Sequence, residues 1–139
     1  MTLEVGDVFL LRNFGFSGTQ PHYHIVIHKT TEGEVIVVYT TTSLVATYRA
    51  CRRDEIDLLS HLEPETYIEI LPEHCPTIIK EKSAINCNKV DMQHEQIYIN
   101  GADFKKYEES KIPQEVIQRV KAGIPHSSTV KQKILKALK

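Results

Sequence analysis

The sequence predicts an α+β fold: a small β-barrel or partly open sheet comes first, and helices pack on it last. Three observations predict it. Short apolar or alternating runs, parted by turn residues, recur from residue 7 to residue 87. Residues 21–43, PHYHIVIHKTTEGEVIVVYTTTS, read as two apolar strands around a Glu32-Gly33 turn. Past Asn100 the apolar period lengthens, and Pro113, Gly123 and Ser127-Ser128 stand where helix ends belong. At 139 residues this is one domain, with 1–99 as the barrel and 100–139 as C-terminal helices.

The elements follow in order. A first strand covers Asp7–Arg12, with Val8, Phe9, Leu10 and Leu11 apolar. The glycine-bearing loop after it holds Phe14 and Phe16, and these serve either binding or the plugging of the barrel end. In the hairpin, side chains alternate faces, so His22, His24, Val26 and His28 share one face and Tyr23, Ile25 and Ile27 the other. Short strands are expected at Thr47–Cys51, Tyr67–Leu71 (stopped by Pro72), Thr77–Lys80 and Ser83–Cys87. Asn100-Gly101 is expected to cap a short helix through about Glu109. A second helix starts at Pro113 and places Val116, Ile117 and Val120 together, with Gly123 just past its end. A third, capped by Ser127 or Ser128, carries Val130, Ile134, Leu135 and Leu138 on one face.

Composition narrows the function classes. Hydrophobic residues at 41% and charged residues at 25% are ordinary for a globular protein. No apolar run approaches the roughly 18 residues of a membrane span. Met1-Thr2-Leu3-Glu4 lacks the basic start of a secretory signal. Cys51, Cys75 and Cys87 form an odd, widely spaced set without Cys-x-x-Cys, which points to reduced thiols in a cytoplasm. The net charge of −1 hides a division. Residues 1–104 hold 8 Lys/Arg against 15 Asp/Glu, and residues 105–139 hold 9 against 3. Such a basic tail either steers toward phosphates or forms the solvated face of the helices.

The order of the parts resembles the MazF/PemK (Kid) type of toxin, a small SH3-like barrel with C-terminal helices. Gly6-Asp7-Val8 opens the first strand as in that family. The slot that holds an Arg-Pro there holds His22-Tyr23 here, ahead of His24-Ile25-Val26-Ile27. The next strand ends Thr40-Thr41-Thr42-Ser43 where the family has a proline, a variable residue and Thr-Ser. Ser83-Ala84-Ile85 is similar to a later strand that begins with Ser and an apolar residue. Pro21-His22 before the second strand also resembles a PemK-like group. The resemblance implies an endoribonuclease of a toxin–antitoxin pair, a homodimer working without a metal or other cofactor, with an antitoxin as protein partner. By position it implies that His22 falls where the family's arginine acts and that Thr42 and Ser43 match its hydroxyl pair. The departure at His22 puts activity in question, because imidazole lacks the permanent bidentate cation that braces a phosphate.

The residues can support that chemistry. Metal-independent RNA cleavage needs a base for the 2′-hydroxyl, an acid for the leaving oxygen, and groups that hold the phosphoryl charge. His22 and His24, two residues apart on one face, can exchange protons near neutral pH. Thr42 and Ser43 can donate to phosphoryl oxygens, and Arg49, Arg52 or Arg53 can supply cations for single-stranded RNA. Each also has a plainer role: half-exposed strand-end histidines, hydroxyls bonded to local backbone, and an Arg52-Arg53-Asp54-Glu55 surface ion-pair cluster. His22-x-His24 can also offer two imidazoles to a metal, with Cys51, Cys87 or His74 as a distant third ligand. A non-catalytic SH3-like module that binds peptide or nucleic acid is the main alternative to an enzyme.

Overall fold

The computed structural model describes residues 1–11, 22–41, 66–75 and 83–139. Six strands form one antiparallel sheet: β1 (Asp7–Leu11), β2 (His22–Lys29), β3 (Glu34–Thr41), β4 (Tyr67–Ile70), β5 (Ser83–His94) and β6 (Lys105–Lys111). Their spatial order is β4-β5-β3-β2-β1-β6. Among the described residues the sheet is open, with β4 and β6 as its edges. Among the described residues there are three α-helices: α1 (Glu95–Ile99), α2 (Gln114–Gly123) and α3 (Gln132–Ala137). None is long and apolar enough to cross a membrane.

The central strands are apolar on both faces because both faces are covered. Val8, Ile25, Ile27, Ile36 and Val38 join Val116, Ile117, Val120 and Ile134 in one core, beneath α2 and α3. Phe9, Leu11, Val26, Val35, Val37 and Tyr39 join Leu3 and Tyr98 in a second core on the opposite face, beneath the N-terminal residues and α1. Continuous apolar strands of this kind belong to a sheet buried on both sides.

The β2–β3 hairpin forms about the expected turn. Thr30 N donates to Glu34 O at 2.8 Å, Gly33 N donates to Thr30 O at 3.1 Å, and Gly33 has φ +89°. One feature of β2 departs from simple alternation. The register slips between Val26↔Val37 and His28↔Ile36, so Ile27 is a bulge residue. A bulge adds one residue to one strand and reverses the facing of everything beyond it. His28 therefore lies on the α2 face, opposite to His24 and Val26, where Lys121 acts on it.

Other expectations change as well. β5 runs to His94 and not to Cys87. Its register against β3 jumps from Val38↔Val90 to Thr40↔Ile85, which leaves three extra residues on β5. Within that irregular stretch Asn88 Nδ2 donates to Thr66 Oγ1 at 2.7 Å, and the Asn88 carbonyl accepts from Thr129 Oγ1 at 3.1 Å. The segment after Asn100 is a turn and then edge strand β6, not a helix through Glu109, so residues 100–139 are not helical throughout. Pairing with β1 and two lysine contacts to Asp7 hold it extended. Gly123 is the last residue of α2, and α3 is N-capped by Lys131 and not by a serine. Tyr67–Ile70 and the buried faces of α2 and α3 fall as expected. The strands expected at 47–51 and 77–80, and the loop with Phe14 and Phe16, lie outside the described residues.

Candidate functional site

Gly6 and Asp7 show what the start of β1 requires. Gly6 has φ +94°, a conformation that side chains other than glycine rarely adopt. It ties three strands: its N–H donates to Val26 O at 2.8 Å, and its carbonyl accepts from Ile112 N at 2.9 Å. Asp7 is 1% exposed and is held by Lys111, by Lys106 Nζ at 3.3 Å, and by Glu4 N–H at 2.7 Å. Burial raises its pKa, but the Lys111 hydrogen bond, the Glu4 N–H and the two ammonium charges outweigh that and hold it below the usual range. Gly6-Asp7 is thus a structural knot between β1 and β6.

The strand pairing gathers several candidate positions at one end of the sheet. β1 and β2 meet there at Leu11↔His22, and β3 and β5 meet there at Thr41↔Ala84. β2 and β3 both run to that end from the His24↔Tyr39 pair. The backbone of His22, the strand leading into Thr42 and Ser43, and Ser83 are therefore neighbours along a single rim. Thr42, Ser43, Arg49, Arg52 and Arg53 themselves lie outside the described residues.

His24 belongs to the interior, not to the rim. It is 0% exposed. Its ring stacks on Phe9 (centroids 4.8 Å apart, planes at 14°) and meets Tyr39 edge-on at 4.8 Å. Phe9 touches Tyr98 at 5.5 Å and Phe104 at 5.3 Å, which extends the aromatic layer beneath α1. A group sealed in this way cannot trade protons with a substrate in solvent. The expected His22–His24 proton pair reduces to His22.

Alternation on a strand face shows only that His24 and Val26 point the same way. Whether that face is wet depends on what covers it, and here α1 and the N-terminal residues do.

Two tyrosines join this layer. The Tyr98 hydroxyl donates to Asp91 Oδ2 at 2.6 Å. Burial, then the bond and charge of Asp91, raise the Tyr98 pKa. Burial, then Asp91, raise that of Tyr39. Both remain phenols at any physiological pH, so neither supplies a base. On the other face, burial and then the Lys121 charge lower the His28 pKa and favour neutral imidazole.

A second buried carboxylate was hidden from sequence reasoning. Glu95, 5% exposed, accepts from Leu3 N–H at 3.1 Å and pairs with Lys29 Nζ at 3.0 Å. Only the fold brings residues 3, 29 and 95 together. Among the described residues, no group of three or more His, Cys, Asp or Glu is placed to hold a metal ion. Cys75 and Cys87 are buried thiols, and Cys87 Sγ lies 3.7 Å from the Val120 carbonyl oxygen.

Neither a protein-family model nor a curated protein matches this chain.

Proposed function

We propose that this protein is a toxin-like endoribonuclease of the MazF/PemK kind, acting on single-stranded RNA at the β1–β2–β3–β5 rim. The observation that carries the reading is the pairing register. It brings His22, the approach to Thr42 and Ser43, and Ser83 to the same end of the sheet. Those are the positions on which the resemblance rests, and they are far apart in sequence. The SH3-like barrel is the finer fold we propose, and the register irregularity of β5 supports it, since a bulge bends a strand and curls a sheet toward closure.

In this reading His22 takes the proton of a 2′-hydroxyl as that oxygen bonds to phosphorus. The phosphorus–5′-oxygen bond breaks, and the imidazolium returns the proton to the departing oxygen. Thr42 and Ser43 donate hydrogen bonds to the phosphoryl oxygens, while Arg49, Arg52 or Arg53 offsets their charge. An antitoxin would act by covering the rim.

One observation favours the second reading, a non-catalytic SH3-like module that binds RNA or peptide there. With His24 inside the core, a single imidazole is left for two proton transfers. Induced expression in bacteria and cleavage of single-stranded RNA in chelator-treated buffer separate the two. The enzyme arrests growth and cuts RNA, and His22→Ala or Thr42→Ala relieves both at unchanged protein level. Full toxicity in both variants removes these residues from the mechanism; binding without cutting leaves the module.

A further inference from the structure

Buried carboxylates hold three lysines of the sheet: Asp7 holds Lys106 and Lys111, and Glu95 holds Lys29. Lys89 and Lys105, also on the sheet, are exposed. The cations of the C-terminal helical segment have no buried acid beside them. Residues 112–139 carry Arg119, Lys121, Lys131, Lys133, Lys136 and Lys139 against one acid, Glu115. All six but the half-buried Lys121 are exposed. Among the described residues none of the six forms an ion pair. Glu115 instead approaches His74 Nε2 at 3.9 Å. The positive field extends to the sheet, where Lys121 adds to the effect of burial on His28.

The chemistry of this face narrows its partner. A protein interface is built around an apolar core within its polar rim, yet the exposed large hydrophobic residues among those described are Met1 and Ile97, neither on these helices. A membrane-surface helix turns its apolar stripe outward. Here Ile134, Leu135 and Leu138 of the α3 segment pack into the core instead. Cations without apolar anchors suit a polyanion held by its backbone charge.

We propose that the basic face of α2 and α3 binds the phosphodiester backbone of single-stranded RNA, adding a second contact to the one at the sheet rim. The choice of RNA rests on the proposed function; the surface does not.

The test is fluorescence anisotropy with the full chain and a labelled oligouridylate about 20 nucleotides long, from about 50 to about 300 mM salt. Four engaged cations give a log–log slope of roughly −3, at about 0.7 per phosphate on a single strand. The Lys131→Glu/Lys133→Glu/Lys136→Glu variant should bind more than about tenfold weaker at low salt and flatten the slope by about 2. Its three sites are exposed, so the urea midpoint should hold; if it does not, the triple glutamine variant replaces it.

A flat slope in the wild type, or equal binding by wild type and variant, overturns the proposal. Binding of polyglutamate but not RNA also overturns it and assigns the face to an acidic protein. Cleavage with a flat slope leaves the rim reading intact without this surface. Steep, variant-sensitive binding without cleavage keeps the surface and removes the nuclease.

Discussion

Gly33 carries two constraints at once. Its φ of +89° disfavours any side chain, and a Cβ there would stand 2.8 Å from His94 Nε2. His94 in turn accepts from Gln96 N–H through Nδ1 at 3.2 Å and so caps α1. Gly33→Ala should therefore cost about 2 kcal/mol, from the backbone strain and a disturbed cap. Urea denaturation checks this, and an unchanged midpoint would show that the turn relaxes freely. Glu32-Gly33 was legible as a turn because glycine beside a polar residue between apolar runs has few other uses. The partner His94 was not, since 61 positions separate it from Gly33. The fate of His24 was hidden for a similar reason. The rings packed against it, Phe9 and Tyr39, come from neighbouring strands.

At the scale of elements, periodicity did most of the work for β1, β2, β3, α2 and α3. It failed at β6, where KKYEESK carries little apolar pattern. That strand exists because β1 offers it a ladder and Asp7 neutralises two of its lysines. Its charged edge also discourages pairing with another chain. The bulge at Ile27 was equally hidden, because a register slip is a property of two strands and cannot be read from one. The six-residue α3 is too short to persist alone. It depends on Ile134, which is 3% exposed, and on half-buried Leu135 and Leu138. Ile134→Ala should then lower stability by about 2 kcal/mol, toward the small end of the range for such truncations because the site is peripheral. A loss below about 0.5 kcal/mol in urea melts would mean that α3 contributes little to the core.

Across the whole molecule, two buried carboxylates link stability to pH. Burial raises the pKa of both Asp7 and Glu95, but their lysine partners and backbone N–H donors reverse the balance and lower both below the ordinary values. A depressed carboxylate stabilises fully above its unfolded pKa of about 4. That stabilisation is lost as pH falls through the lower folded value. Unfolding free energy should thus stay level with respect to these groups from pH 7 to about 5 and drop below about 4. The Asp7→Asn/Glu95→Gln double variant should be less stable at neutral pH and flatter in acid. An equally steep acid limb in the variant would assign acid sensitivity to other groups. Whole-chain charge was countable from the start, but which cations are neutralised was not. Lys29, Lys106 and Lys111 lie beside buried acids, and the helix cations do not.

The sequence by itself determined the α+β class, most of the described strands, the turn at Gly33, two of the three described α-helices and the segregation of charge. These are consequences of local conformational preference and of apolar spacing, and both act over a few residues. Only the tertiary structure decided that His24 is core, that His28 faces the other way, that Gly6-Asp7 is a knot, and that His22, Thr41 and Ser83 share a rim. Each of those depends on pairing register and on which surface is covered, and chain-distant partners settle both.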